Sequence, residues 1–112
     1  MSVVGIHHVT LLVQDEAKAA WFYGEVLGFA QKPRPAFNFP GLFYSCGDQE
    51  LHLIVSARPL GQEDLFIDVG EMGRRSFRYI HRHAAFLVEN FAETRERLKE
   101  HGIEILFSEE SP

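Results

Sequence analysis

The sequence predicts an α+β domain built from two copies of a βαβββ module, the second of them incomplete. The length of 112 residues, with 46% hydrophobic side chains, fits a single domain with a core of its own. Strand-like and helix-like segments follow one another as β-α-β-β-β and then as β-α-β. The pattern of residues 8–15 returns at residues 83–90, which indicates an internal duplication. We therefore assign residues 1–56 to module one, 57–79 to a connecting loop and 80–112 to a partial module two.

Module one opens with a strand and a helix. Residues Val3 to Val13 are rich in β-branched and aliphatic side chains, which is typical of a strand. From Asp15 to Leu27 the apolar side chains recur at the spacing of one helical face. Asp15 is a suitable cap for the start of this helix, and Gly28 is a suitable residue to end it.

Three short strands complete module one. Residues Phe29 to Lys32 form the first, which the following prolines end. Residues Leu42 to Cys46 and Glu50 to Val55 form a hairpin around Gly47-Asp48-Gln49, because Gly and Asp tolerate the positive φ of a tight turn.

Module two repeats the same order of elements. We predict a strand from Ile80 to Val88, a helix from Asn90 to His101 and a strand from Ile103 to Phe107. Asn90 and Glu93 have the spacing of a capping box at the start of the helix.

The connecting loop, residues 57–79, is longer than most loops in compact domains. It contains a possible short strand around Leu65 to Val69 and a local excess of positive charge at Arg74, Arg75 and Arg78. Two interpretations stay open, a solvated linker and a lid that contacts an anion over a site.

Composition favours small molecules as partners. The chain carries 11 basic and 16 acidic residues, a formal charge of −5, which argues against binding to nucleic acid or to an anionic membrane. No apolar run approaches the roughly 20 residues of a membrane span, and the N-terminus does not resemble a signal peptide. The single cysteine, Cys46, excludes a disulfide framework, favours a buried thiol and predicts a cytoplasmic protein.

Histidines on strands are the candidate chemical groups. Side chains alternate between the two faces of a strand, so each strand histidine can be assigned to one face. His8, His52 and His83 fall opposite the aliphatic rows that pack under the helices. If both modules contribute to one curved sheet with the helices outside, all three point into a concave cup. His7 falls on the aliphatic face, where it is either a structural residue or an edge-exposed one. His81 shares the face of His83, either as a group that supports a ligand or as a rim residue.

Converging imidazoles need hydrogen bonds, a metal ion or a polar substrate, because an unpartnered polar group removed from water costs free energy. One divalent metal ion would bind all three imidazoles, since imidazole is the commonest metal ligand and sites with three protein ligands leave positions for substrate. Half-exposed or hydrogen-bonded histidines without a metal remain the alternative. Phe37 and Phe39, on a loop flanked by Pro and Gly, form either a hydrophobic lip of the site or a loop anchor.

Four segments together resemble the glyoxalase/bleomycin-resistance/dioxygenase group, also called the vicinal oxygen chelate superfamily. They are Ile6–Val13, Trp21–Phe29, Leu51–Leu53 and His83–Val88. The resemblance implies that two βαβββ modules pair into a cupped mixed sheet, with metal ligands on the first and last strands of the modules. It also implies a divalent metal cofactor, which would be Fe, Mn, Ni, Co or Zn.

The resemblance also implies a role for each histidine. His8 and His83 match the metal ligands on the first strands of the two modules, and His52 matches a fourth-strand position that contributes a ligand in some members. The remaining ligand, usually a Glu on the last strand of module two, has no counterpart in this sequence, since Glu104, Glu109 and Glu110 come too early.

The implied function is a metal-dependent enzyme that acts on a small molecule with vicinal oxygens, either a glyoxalase-like lyase or isomerase or a ring-cleaving dioxygenase. For an isomerase, Glu50 on the face of His52 is the candidate catalytic base. The alternative is a non-catalytic protein that binds a small ligand or an antibiotic in the cup. Because the last strands of module two are absent from the sequence, we expect an open sheet edge and a homodimer.

Overall fold

The structure is a computed structural model that describes residues 1–65 and 82–105. It contains a mixed sheet together with helices, so the predicted α+β class is confirmed. The elements in chain order are β1 (His8–Val13), α1 (Glu16–Ala20) with a π-helical continuation (Trp21–Val26), β2 (Ala30–Lys32), β3 (Gly41–Cys46), β4 (Gln49–Val55), α2 (Gln62–Leu65) and α3 (Phe91–Glu100). No helix in these two ranges is long and apolar enough to span a membrane.

The sheet has the strand order β1-β4-β3-β2. Strand β1 runs parallel to β4, while β4, β3 and β2 are joined as antiparallel neighbours. His52 of β4 lies opposite Thr10 of β1 on one side and opposite Phe43 of β3 on the other. The β-α-β-β-β order predicted for module one is therefore the observed order.

The first helix begins and ends where the sequence predicts. The Asp15 carboxylate accepts a hydrogen bond from the Lys18 backbone N–H at 3.0 Å, which satisfies one of the free donors of the first turn. Gly28 follows the helix with a φ of 75°. The second half differs from the expected α-helix, because the Leu27 N–H bonds to the Phe22 carbonyl five residues earlier.

The hydrophobic core lies between the sheet and the first helix. Leu51 and Leu53 of β4 are completely buried, and Tyr44 of β3 is 2% exposed. Ala19 of α1 packs in the same cluster. Alternation along β4 therefore places the leucines under the helix and His52 on the opposite face, as predicted.

Of the elements predicted after residue 79, the described residues contain the helix. The Asn90 side chain accepts from the Glu93 N–H at 3.0 Å, as the predicted cap requires. The predicted strands are wrong over residues 82–88 and 103–105, which form no strand. A strand needs a neighbour for its backbone groups, and within the described ranges these residues have none.

Several predicted features of this half lie outside the described residues. They are residues 66–69 of the possible strand around Leu65 to Val69, the loop arginines, Ile80, His81, Leu106, Phe107, Glu109 and Glu110. The division of the chain into two modules stays a prediction.

Helix α3 is attached to the end of the first helix. The Arg97 guanidinium donates to the backbone carbonyls of Val26 and Glu25, at 2.5 and 2.6 Å. Carbonyls at the end of a helix have no partner within the helix, so a cation there is favourable. Phe86 also packs against Phe29, with ring centroids 5.2 Å apart.

Candidate functional site

The face of the sheet opposite α1 carries a stack of three rings from three neighbouring strands. The rings of His8 and His52 are 3.9 Å apart between centroids and inclined by 20°. The ring of Phe43 lies on the other side of His52, at 3.6 Å and 4°. We call this surface, defined by His8, Phe43, Glu50 and His52, the open face. His8 and His52 are thus on the predicted face and in contact.

A carboxylate fixes the edge of the His52 ring. His52 Nε2 lies 2.9 Å from Glu50 Oε1, and the other carboxylate oxygen pairs with the Lys32 ammonium. The hydrogen bond from His52, followed by the one from Lys32, lowers the pKa of Glu50 from 4.5 to about 2. Glu50 is therefore ionised at neutral pH, and it is a poor proton acceptor there because a general base works best with a pKa near the working pH.

The charge on Glu50 decides the tautomer of His52. An ionised carboxylate only accepts hydrogen bonds, so in neutral His52 the hydrogen is on Nε2 and the lone pair is on Nδ1. Within the described residues no hydrogen bond is made by Nδ1, and the His52 side chain is 13% exposed. The arrangement is a carboxylate-oriented imidazole with a free basic nitrogen.

The stacked rings do not fit one shared metal ion. A metal bound by imidazole lies close to the plane of the ring, about 2.1 Å from the nitrogen. The rings of His8 and His52 are stacked face to face with only 20° between their planes, so in this arrangement their in-plane lone pairs do not converge on a nearby point. In residues 1–65 and 82–105 no group of three His, Cys, Asp or Glu side chains is placed to hold a cation. The metal role of His8, His52 and His83 stays a prediction.

The other predicted residues are distributed around the molecule. His83 is exposed in the irregular segment 82–88, and Glu104 is exposed after α3. The Cys46 thiol is half-buried and free. Phe37 and Phe39 stack on each other with centroids 5.1 Å apart, on the loop between β2 and β3.

His7 does not take the position that strand alternation predicts. It precedes the first residue of β1, so the alternation does not apply to it. Its Nδ1 lies 2.9 Å from His8 Nδ1, and its charge contributes to the lowered pKa of Glu50. His7 therefore lies beside the open face and not among the aliphatic side chains.

Sequence reasoning missed two members of this site. Phe43 alternates with the core residues Leu42 and Tyr44, so its face was predictable, but its contact with His52 depends on the pairing of β3 with β4. Lys32 reaches Glu50 from β2, which is two strands away in the sheet. Strand order, which the sequence does not state directly, brings these residues together.

A separate cavity of about 690 Å³ lies on the helix side of the sheet. Its walls come mainly from the end of β1 and the first helix, with Leu60 and Ile103 at the side. Most of its lining is apolar, and its one acidic residue, Asp15, already caps α1.

Solved structures share this fold. A glyoxalase family protein from Bacillus anthracis is 26% identical, with a TM-score of 0.75 over 100% of this chain and 81% of the other. A glyoxalase family protein from Enterococcus faecalis is 31% identical, with a TM-score of 0.62 over 89% and 74%. The E126Q mutant of the fosfomycin resistance protein FosX from Listeria monocytogenes is 17% identical, with a TM-score of 0.63 over 92% and 71%.

The sequence model of the Glyoxalase/Bleomycin resistance protein/Dioxygenase superfamily matches residues 5–111. No curated protein matches the sequence significantly. The family match covers nearly the whole chain. The chain therefore belongs to the glyoxalase/bleomycin resistance protein/dioxygenase superfamily.

Proposed function

We propose that this protein binds a small molecule on the open face and that His52 moves a proton to and from it. The observation that carries the proposal is the Glu50–His52 pair, in which an ionised carboxylate holds Nε2–H and leaves Nδ1 as the basic atom. Stacking between Phe43 and His8 fixes the plane of the ring, so the direction of the Nδ1 lone pair is set before a ligand arrives.

The proton transfer balances within this pair and the ligand. The ligand, a small molecule with vicinal oxygens, loses a proton from the carbon beside its carbonyl group, and the bonding electrons move to the carbonyl oxygen. Nδ1 takes the proton, and the Glu50 carboxylate stabilises the resulting imidazolium through Nε2. Return of the proton to the same carbon completes exchange. Return to the former carbonyl carbon completes isomerisation when the proton of the neighbouring hydroxyl group passes to the enolate oxygen and leaves a new carbonyl group behind. Glu50 is a positioning residue in this scheme and not the base.

The metal-dependent reactions implied by the family are not part of this proposal. FosX was solved with Mn(II) and 1S,2S-dihydroxypropylphosphonic acid, which shows a metal and a vicinal diol together in this fold. In the present chain one of the two contacting imidazoles would have to leave the stack before both could bind one cation. We therefore assign no step to a metal ion.

Hydrogen exchange tests the proposal without knowledge of the natural substrate. Dihydroxyacetone has vicinal oxygens and an exchangeable C–H, so we expect the protein in D₂O with EDTA to accelerate loss of that proton signal in ¹H NMR. His52→Gln should lower the rate about 100-fold or more, which is the usual range for a general base. The matched control is His101→Gln, because His101 lies at the end of α3, away from the open face.

Three outcomes would overturn the assignment. Exchange no faster than in buffer would favour the non-catalytic binding protein. Equal rates for the wild type and His52→Gln would remove His52 from the reaction. Exchange that disappears with EDTA and returns with Mn²⁺ would favour the metal-dependent enzyme.

A further inference from the structure

A second charged group lies on the open face beside the ring stack. Arg34, on the loop between β2 and β3, has its guanidinium carbon 4.8 Å from the ring centroid of Phe37 and 4.9 Å from that of Phe39. It is also 5.8 Å from the ring of Phe43, which stacks on His52. Cation–π contacts with three rings hold this guanidinium in place, and one ring separates it from His52.

Two donors of Arg34 are buried without an acceptor. Nε and Nη2 are inaccessible to solvent and have no hydrogen-bond partner in the structure. An unsatisfied charged donor is costly, so natural proteins rarely retain one without a use. The chain has 16 acidic residues, yet no carboxylate in the described ranges pairs with Arg34. The nearest carboxylate along the ring stack, Glu50, is already paired with Lys32 and His52.

The two free nitrogens form one edge of the guanidinium. Nε–H and Nη2–H are parallel donors, and their spacing matches two oxygens of a carboxylate or a phosphoryl group. Gly41 lies against this edge, since a Cβ at that position would be 3.0 Å from both Nε and Nη2. A Cβ there would also be 2.4 Å from the Leu53 carbonyl oxygen, so close backbone packing between β3 and β4 already requires glycine, and backbone, not a side chain, faces the edge of the guanidinium.

We propose that Arg34 is the anion-binding group of this protein and that it binds a carboxylate or phosphoryl group of the ligand through Nε and Nη2. The inference rests on the proposed function, because it names the substrate class of the same face as an anionic small molecule. The exposed rings of Phe37 and Phe39 pack on the guanidinium, so binding of the anion at its edge requires the loop that carries them to shift. An anion at Arg34 places the neighbouring carbon atoms of the ligand over Phe43, toward His52.

NMR of arginine side chains tests this directly. Inorganic phosphate and acetate are titrated in turn into the ¹⁵N-labelled protein, and the Arg34 Nε–H signal should shift and saturate with at least one of them. Arg34→Gln should weaken anion binding at least tenfold, and Arg34→Lys should weaken it less, because Lys keeps the charge and loses the paired donors. The matched control is Arg58→Gln, since Arg58 is already paired with Asp64 at 2.6 and 2.8 Å.

The outcomes separate this inference from the proposed function. Loss of binding in Arg34→Gln with retention in Arg58→Gln supports the anion site, and the stronger of the two anions identifies the ligand group. An Arg34 signal that neither anion moves, or equal phosphate binding by Arg34→Gln, overturns it. If Arg34→Gln does not fold, anion binding by Arg34→Lys is compared with that of Arg58→Gln, and equal binding by the two overturns the inference. Failure of the proton-transfer proposal would leave anion binding unchanged.

Discussion

Contact between Phe43 and His52 should be measurable as a coupling energy. The two changes are Phe43→Leu, which keeps apolar volume and removes the ring, and His52→Gln, which keeps an N–H able to reach Glu50. The rings are 3.6 Å apart and nearly parallel, and aromatic pairs contribute about 0.5–1.5 kcal/mol beyond their buried area. We therefore expect a coupling of about 1 kcal/mol in the double-mutant cycle.

Urea unfolding at pH 7, followed by far-UV circular dichroism, gives the free energy of unfolding of the four proteins in the cycle. His52→Gln alone should cost more than the coupling, because His52 also stacks on His8. A domain of this size has a stability of roughly 5–15 kcal/mol, so all four proteins should remain folded.

A second cycle with Phe43→Leu and His101→Gln provides the control, since His101 contacts Trp21 and not the stack. Its coupling should be zero within about 0.3–0.5 kcal/mol. Equal couplings in the two cycles would show that the stack does not hold His52, and the fixed direction of Nδ1 would lose its basis.

Three other predictions concern charge, capping and assembly. Because the folded-state pKa of Glu50, about 2, is below the ordinary 4.5, its contribution to stability is present above pH 4.5 and is lost as the pH falls toward 2. In urea unfolding, the wild type should therefore lose stability over this pH range more steeply than Glu50→Gln. Parallel curves of stability against pH would show that Lys32 and His52 do not stabilise the Glu50 carboxylate. Asn90→Ala should destabilise the protein by about 1 kcal/mol, because it removes the acceptor of the Glu93 N–H, while Asn38→Ala on the loop should have little effect in the same thermal unfolding measurement. Strand β1 is an edge strand of the described sheet and carries exposed Leu12, so we expect a homodimer by light scattering, and a monomer at high concentration would count against it.

Module one shows how far local sequence determines the fold. The helix cap at Asp15, the helix end before Gly28 and the division of β4 into a buried and an open face all follow from periodicity and backbone preference. The same reasoning failed at His7, because alternation holds only within a strand and β1 starts one residue later. It also failed for residues 82–88, where a strand-like composition has no neighbouring strand within the described residues.

The sequence by itself determined which side chains could share the open face, because the direction of a side chain along a strand depends only on its own backbone. The tertiary structure decided which of them touch. Parallel pairing of β1 with β4 brings His8 onto His52, and antiparallel pairing of β3 with β4 adds Phe43 from the other side. The lowered pKa of Glu50 likewise depends on partners from other positions, since only folding places His52 and Lys32 against its two oxygens.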